Sequence, residues 1–262
     1  MSQETTRGEN VASYGSSTVD KAIDVLVAVA SANGGLSNAE ISESLALDRS
    51  TTHRLVATLE RRGLVVRGNG RKFTSGSFLH LLAFGSPLDL RVILAGILDG
   101  LVERTGESAS FSIPQGDRFY CVVNSPSPND LRYCPSSSKT YSLNSGATGL
   151  AIWAFLPKAV SERLLTTGEM VVYTDATIID RDLLRTELEK TRERGYAMSA
   201  GSRTPGGCAI ASPVMSHQGA LLGAITISAA DVRLPLAKLT EFHGDLQNAA
   251  QSIAERLGTR DA

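Results

Sequence analysis

The chain has 262 residues, 42% hydrophobic and 20% charged, with a net charge of -1, and at about 100–200 residues per domain it suits two modest globular domains. The near-zero charge does not announce a nucleic-acid binder, although an average over two domains hides a basic patch in one of them. Cys121, Cys134 and Cys208 are odd in number and lack CxxC spacing, which argues against a disulfide framework or a zinc ribbon.

Residues 1–16 are polar and carry Glu4, Arg7 and Glu9 without an apolar core. They read as a disordered arm and not as a signal or transit peptide. A first helix follows, with Val19, Ile23, Leu26, Val27 and Ala30 near helical spacing, Ser17 or Thr18 as cap and Gly34-Gly35 as stop. In "LSNAEISESLAL", Ser37 and Glu40 have capping-box spacing and Ile41 and Leu45 lie one turn apart, so a short second helix is expected. After a turn at Ala46-Leu47-Asp48, a third helix runs from about Arg49 to Arg62, with Leu55, Val56 and Leu59 inward and Thr51, Arg54, Thr58 and Arg61 on the opposite face. Two strands, Leu64 to Arg67 and Arg71 to Thr74, join across Gly68-Asn69-Gly70, whose residues tolerate positive φ. Three helices and a hairpin make a winged helix-turn-helix over 17–76.

Local charge agrees. Between Asp48 and Lys72, seven basic residues (Arg49, Arg54, Arg61, Arg62, Arg67, Arg71, Lys72) face two acidic ones (Asp48, Glu60). A basic third helix followed by a basic hairpin is the electrostatic footprint of duplex DNA. The candidate contacts are Ser37, Arg49, Ser50, Thr51, His53, Arg54, Arg67, Arg71 and Lys72. Singly, Ser50, Thr51 and Thr52 also read as capping hydroxyls, His53 as a solvated histidine and Arg61-Arg62 as a helix end that complements the dipole.

This segment resembles the DNA-binding domain of the isocitrate-lyase-regulator (IclR) family of bacterial transcription factors, through Ser50, Thr51, His53, Arg54, Leu55, Leu59, Glu60 and Gly63. Thr52 departs from it, standing at a usually apolar position, where looser packing is expected.

Residues 77–105 read as a connector and a long helix from about Leu88, whose stripe of Leu90, Leu94, Ile97, Leu98 and Leu101 fits a buried core or a self-pairing surface equally. The stretch from Phe73 to Leu88 is broken by Gly76, His80, Gly85 and Pro87 and is too short to span a membrane. A cytoplasmic protein with no membrane partner is expected.

Over 106–262 the pattern predicts strands at "SASFSIP", "RFYCVVNS" and "LRYCP", two helices divided at Pro157, a helix from about Asp182 to Arg194, three strands at "GYAMSAG", "CAIASPVM" and "LLGAITISAA", and a last helix from about Leu236 to Leu257. That is an α+β arrangement. It resembles the IclR effector-binding domain, which is GAF-like, through Gly149, Ala151, Ala154, Phe155, Leu156, Pro157, Arg194, Gly195, Tyr196, Pro205, Gly206, Ile210, Pro213 and Ser228. The resemblance spans roughly Ser17 to Leu257 and implies a regulator controlled by a small organic acid, acting on double-stranded operator DNA as a homodimer or dimer of dimers, with no cofactor.

Gly146, Ala147 and Thr148 open a helix, where unpaired N–H groups and the dipole would receive a carboxylate; small residues there also allow simple helix-to-sheet packing. Position in the family pattern adds Ser110, Tyr133, Ser199, Ile210 and Ser228 as pocket candidates. The family often carries acidic residues just before its Pro-Gly, whereas "SAGSRT" has Arg203 and no carboxylate. Cys208 lies one residue before the family's cysteine position, which on a strand turns the thiol to the opposite face. Two other classes compete: an enzyme using Cys208 as nucleophile and His217 as base, and a scaffold docking through the Leu88–Leu101 face, which leaves the basic helix unexplained. His53, His80, His217 and His243 lack metal-ligand spacing.

Overall fold

The computed structural model describes residues 17–258 except positions 33, 69–70, 77–78, 80–86, 138 and 218. The expected arm over 1–16, the turn residues Asn69 and Gly70, His80 and most of the connector therefore lie outside the described residues, as does the side chain of Leu90.

Helices α1 (Ser17–Ser31), α2 (Asn38–Ser44) and α3 (Arg49–Arg61) pack with strands β1 (Leu36–Ser37), β2 (Val65–Arg67) and β3 (Lys72–Ser75), which form an antiparallel sheet of order β1-β3-β2. Two residues of β1 carry no readable periodicity; the strand exists because Leu36 and Ser37 pair with Phe73 and Lys72. Val25, Val29, Ile41, Leu55, Val56, Leu59, Val65 and Phe73 form the core. Of the apolar residues on α1, Val19, Ile23 and Val27 point outward instead, each more than half exposed. Their i, i+4, i+8 spacing gives a second, unpaired stripe beside the buried one.

The turn between α2 and α3 is a Schellman closure. The Leu47 N–H donates to Ser42 O (3.0 Å) and the Ala46 N–H to Glu43 O (3.4 Å), with Ala46 at φ 50°. A non-glycine residue thus occupies the left-handed slot that glycine usually fills.

The second domain begins with α4 (Pro87–Thr105). Its antiparallel sheet has the order β6-β5-β4-β9-β8-β7, from β4 (Ser108–Gln115), β5 (Arg118–Ser125), β6 (Thr140–Ser142), β7 (Ala197–Ala200), β8 (Gly207–Met215) and β9 (Leu221–Ala230). One face packs on α4 and α9 (His243–Gly258), through Leu94, Leu98, Leu101, Phe111, Ile227, Leu246 and Ile253. These leucines of α4 are core, while Val92 and Ile93 on the same helix are exposed. The other face carries α5 (Gly146–Phe155), α6 (Lys158–Thr167) and α7 (Arg181–Arg194), through Phe119, Leu150, Trp153, Leu184 and Leu188.

Two expectations fail here. No strand forms over Leu131–Pro135; the sheet edge is β6. Pro135 has no N–H for a ladder, and its carbonyl accepts from Asn124 Nδ2 instead (2.9 Å). The last helix is not continuous: α8 (Leu236–Leu239) and a 3-10 turn (Thr240–Phe242) precede α9. At that break the Thr240 hydroxyl donates back to Ala237 O (2.7 Å), a bond that bends helices, and Phe242 packs against the core. No helix among the described residues is long and apolar enough to cross a membrane.

Candidate functional site

The face of α3 is built by its cap. Asp48 accepts from the Thr51 N–H (2.8 Å), and the Thr51 hydroxyl and amide hold its carboxyl below the usual value. The cap is therefore Asp48, not the hydroxyl run that follows it. Arg49, Ser50, His53 and Arg54 are exposed and Thr51 is half-buried. Thr52 is fully buried, and its hydroxyl donates to Asp48 O (3.0 Å). A polar residue at an apolar position is thus satisfied within its own turn, and no loosened packing is needed to accommodate it.

Around the wing the candidates divide. Arg71 is exposed at φ 64°, so among the described turn residues the left-handed conformation falls on Arg71 and not on Gly68. Arg67 lies over the Phe73 ring at 5.0 Å and is half-buried. Lys72 pairs with Glu40 (3.1 Å), and Glu40 also accepts from the Ser37 N–H (2.7 Å) while Ser37 Oγ accepts from the Glu40 N–H (3.3 Å). Ser37 and Lys72 are therefore tied into the α2 cap, whereas Arg49, Arg54 and Arg71 stay outside it.

On the second domain, a small, half-open cleft with a free volume of about 30 Å³ lies where α5 starts. Strand alternation makes it: Ser108, Ser228, Ala209 and Ser199 are register partners across β4, β9, β8 and β7. Successive residues point to opposite faces, so this row is the α5 face while Ala109, Ile227, Ile210 and Met198 form the row behind it, against α4 and α9. The cleft is lined by Tyr133, Gly146, Ala147, Thr148, Ser199 and Ser228 from the sequence expectation, and by Ser202, Arg203, Thr204 and Ala209 beyond it.

Two expected residues are not brought there. Ile210 is fully buried in the opposite core layer, because its neighbour Ala209 occupies the cleft side. Ser110 is buried one strand away, paired with Thr226. The free helix terminus is also partly consumed: the Ala147 N–H donates to Ser199 Oγ (2.9 Å), and Thr148 Oγ1 bonds Thr226 Oγ1 (2.9 Å).

Arg203 sits 5.4 Å over the Tyr141 ring and forms no ion pair among the described residues. Burial pushes its guanidinium below the usual value, with Tyr141 partly opposing. Its loop is pinned from outside: Thr174 Oγ1 donates to Gly201 O (2.8 Å), Thr177 Oγ1 to Ser202 O (2.7 Å), the Gly201 N–H to Gly207 O (2.7 Å), and Tyr133 OH to Pro205 O (2.9 Å). Thr174, Thr177 and Tyr141 carry no local signal, since they act through loops distant in sequence.

The Cys208 thiol donates to Leu234 O (3.2 Å) within the layer behind the sheet, and burial pushes it up to about 11. That is the wrong direction for a nucleophile. His217 lines a separate cleft with Pro213, Met215 and Gln247, so the Cys208–His217 pair is not assembled.

Two family models cover nearly the whole chain: "Bacterial transcriptional regulator IclR C-terminal" over residues 84–255 and "IclR helix-turn-helix domain" over 18–68. A transcriptional regulator of Mycobacterium tuberculosis is 30% identical over 255 residues, 97% of this chain and 95% of the relative. The crystal structure of the Thermotoga maritima IclR is similar at a TM-score of 0.61 and 26% identity, covering 92% of this chain and 98% of that one. An IclR homologue of Microbacterium hydrocarbonoxydans, complexed with 4-hydroxybenzoate, has the same fold at a TM-score of 0.59 and 20% identity, covering 92% and 99%.

Proposed function

The chain belongs to the IclR family of DNA-binding bacterial transcriptional regulators, and from that premise we propose that it reads an operator as a homodimer under the control of a small organic acid. The observation that carries the reading is the pairing of an exposed basic α3 face with a polar cleft in a separate domain. Arg49, Arg54 and Arg71 supply phosphate or guanine contacts, and Ser50, Thr51 and His53 reach bases or backbone. Ser37, Arg67 and Lys72 serve the same surface from the α2 cap and the wing.

One helix reads few base pairs, so two subunits present two α3 helices about 34 Å, or a multiple, apart. The exposed Val19, Ile23 and Val27 of α1, with Val92 and Ile93 of α4, offer apolar surface for self-pairing. The acid enters between Gly146–Thr148 and Ser199–Ser228, and the aromatic acid bound by the Microbacterium relative supports an acid as ligand class. Such a ligand shifts operator affinity only through its differential affinity for the two states. The site of action is the bacterial cytoplasm, where the chromosome lies.

A gel-shift titration on the DNA upstream of its own gene, at several salt concentrations and with or without small acids, tests this. Sequence preference, a steep loss of affinity with salt and a shift by at least one acid are expected. No affinity for that DNA under any of these conditions sinks the reading.

A further inference from the structure

We propose that Arg203 is the charge anchor of the cleft, pairing with the carboxylate of a small hydroxylated aliphatic acid whose hydroxyls meet Ser199, Ser202 and Ser228. The proposal rests on the effector reading above and specifies its ligand.

Three observations lead to it. The first is an uncompensated charge. A guanidinium drawn out of water needs a partner, yet the loop carrying Arg203 contains no carboxylate, and Arg203 has no ion pair among the described residues. Tyr141 covers the guanidinium by a cation–π contact, which stabilises the charge from the ring side. The N–H donors, lying in the guanidinium plane, suit a bidentate carboxylate.

The second is preorganisation. Four hydrogen bonds pin the Gly201–Gly207 loop: those from Thr174, Thr177 and Tyr133, and the Gly201–Gly207 closure. A Cβ added at Gly146 would come 3.6 Å from Arg203 Cβ and 3.5 Å from Ser199 Oγ. The start of α5 and the Arg203 loop thus lie against each other with room for about one methyl group, and both line the same cleft.

The third is the lining. Ser202, which lines the cleft, is 8% exposed, and its hydroxyl is buried without a partner. Apart from Tyr133 and Cys208, the lining residues are small or polar. Among the described lining residues only Tyr133 is a large ring-bearing side chain, whereas a hydroxylated ligand offers a partner to the orphaned Ser202 hydroxyl.

The test uses the full chain, with calorimetric titration of D-glycerate, D-gluconate, benzoate and glycerol into wild type, Arg203→Gln and Arg203→Lys, and a thermal melt of each variant to check folding. At least one hydroxy acid is expected to bind wild type roughly tenfold or more tighter than benzoate or glycerol, to lose roughly tenfold to hundredfold in Arg203→Gln, and to recover in part in Arg203→Lys. Equal binding of that acid by wild type and a folded Arg203→Gln overturns the anchor, as does a preference for benzoate or no binding of either hydroxy acid. A gel shift with the same variants separates this from the regulator reading. An acid that binds through Arg203 yet leaves operator affinity unchanged keeps the anchor and removes effector control; an acid that shifts operator affinity equally in wild type and Arg203→Gln does the reverse.

Discussion

Thr148 Oγ1 and Thr226 Oγ1 lie 2.9 Å apart, and this hydrogen bond inside the core fastens the first turn of α5 to the middle of β9. Both residues are almost fully buried. The cleft therefore borders a polar tie that cannot be exchanged for water.

Removing one hydroxyl leaves the other unpaired. Thr148→Val or Thr226→Val is expected to cost about 1–3 kcal/mol, while the double variant costs less than the sum, with a coupling of about 1 kcal/mol. Urea unfolding of the four proteins measures the cycle. Additive costs would show that the contact contributes nothing.

Recognition and folding separate on adjacent residues of α3. Arg54 is exposed and Leu55 is 8% exposed in the core. Arg54→Ala should leave the melting temperature within a degree or two, weaken DNA binding and flatten the salt dependence, since each phosphate neutralised adds about 0.9 to the slope. Leu55→Ala should instead destabilise the domain by about 2–5 kcal/mol. Melts and salt-titrated gel shifts on both variants decide the assignment.

Among the described residues, two non-glycine residues hold positive φ, Ala46 at 50° and Arg71 at 64°. Left-handed backbone costs an L-residue about 1–2 kcal/mol, part of which glycine returns as entropy loss. Ala46→Gly should raise stability by about 0.5–1 kcal/mol without touching DNA affinity. Arg71→Gly should likewise not destabilise, but should weaken DNA binding through the lost charge. A fall in stability for either would place the strain elsewhere.

The α2 cap carries an acid sensitivity. Ser37, first through its backbone N–H and then its hydroxyl, with Lys72 behind it, holds the Glu40 carboxyl down to about 2 against 4.5. Because the folded value lies below the unfolded one, the contribution of Glu40 is complete above pH 4.5 and is lost as pH falls from there towards 2. Denaturant midpoints of the winged domain should converge between wild type and Glu40→Gln over that window. Parallel curves would remove the cap from the account.

The order of elements was legible because caps, breakers and periodicity are local. Ser37 and Glu40 form the box their spacing announced, and Gly195 ends α7 in the left-handed conformation. β1 and β6 are not legible because short edge strands owe their existence to a partner, and Leu131–Pro135 resembles a strand because Leu131, Tyr133 and Cys134 have strand-like composition although the segment has no ladder to join. The α3 cap is Asp48, two residues before the first of the capping hydroxyls that the sequence offers, and only the geometry shows which side chain turns back onto the Thr51 amide.

Sequence by itself determined the basic helix and wing, the two-domain order and the small-residue start of α5, since each depends on residues a few positions apart. Tertiary structure decided which face of each strand meets the cleft. Adjacent residues diverge there, so Ala209 enters it and Ile210 leaves it, and a pattern of similar small residues does not reveal the phase. It also decided that Arg203, set in a loop between strands, comes to lie over Tyr141 some sixty residues away, because the loop is closed by hydroxyls from a third segment and a buried charge takes its partners from whatever the fold brings near.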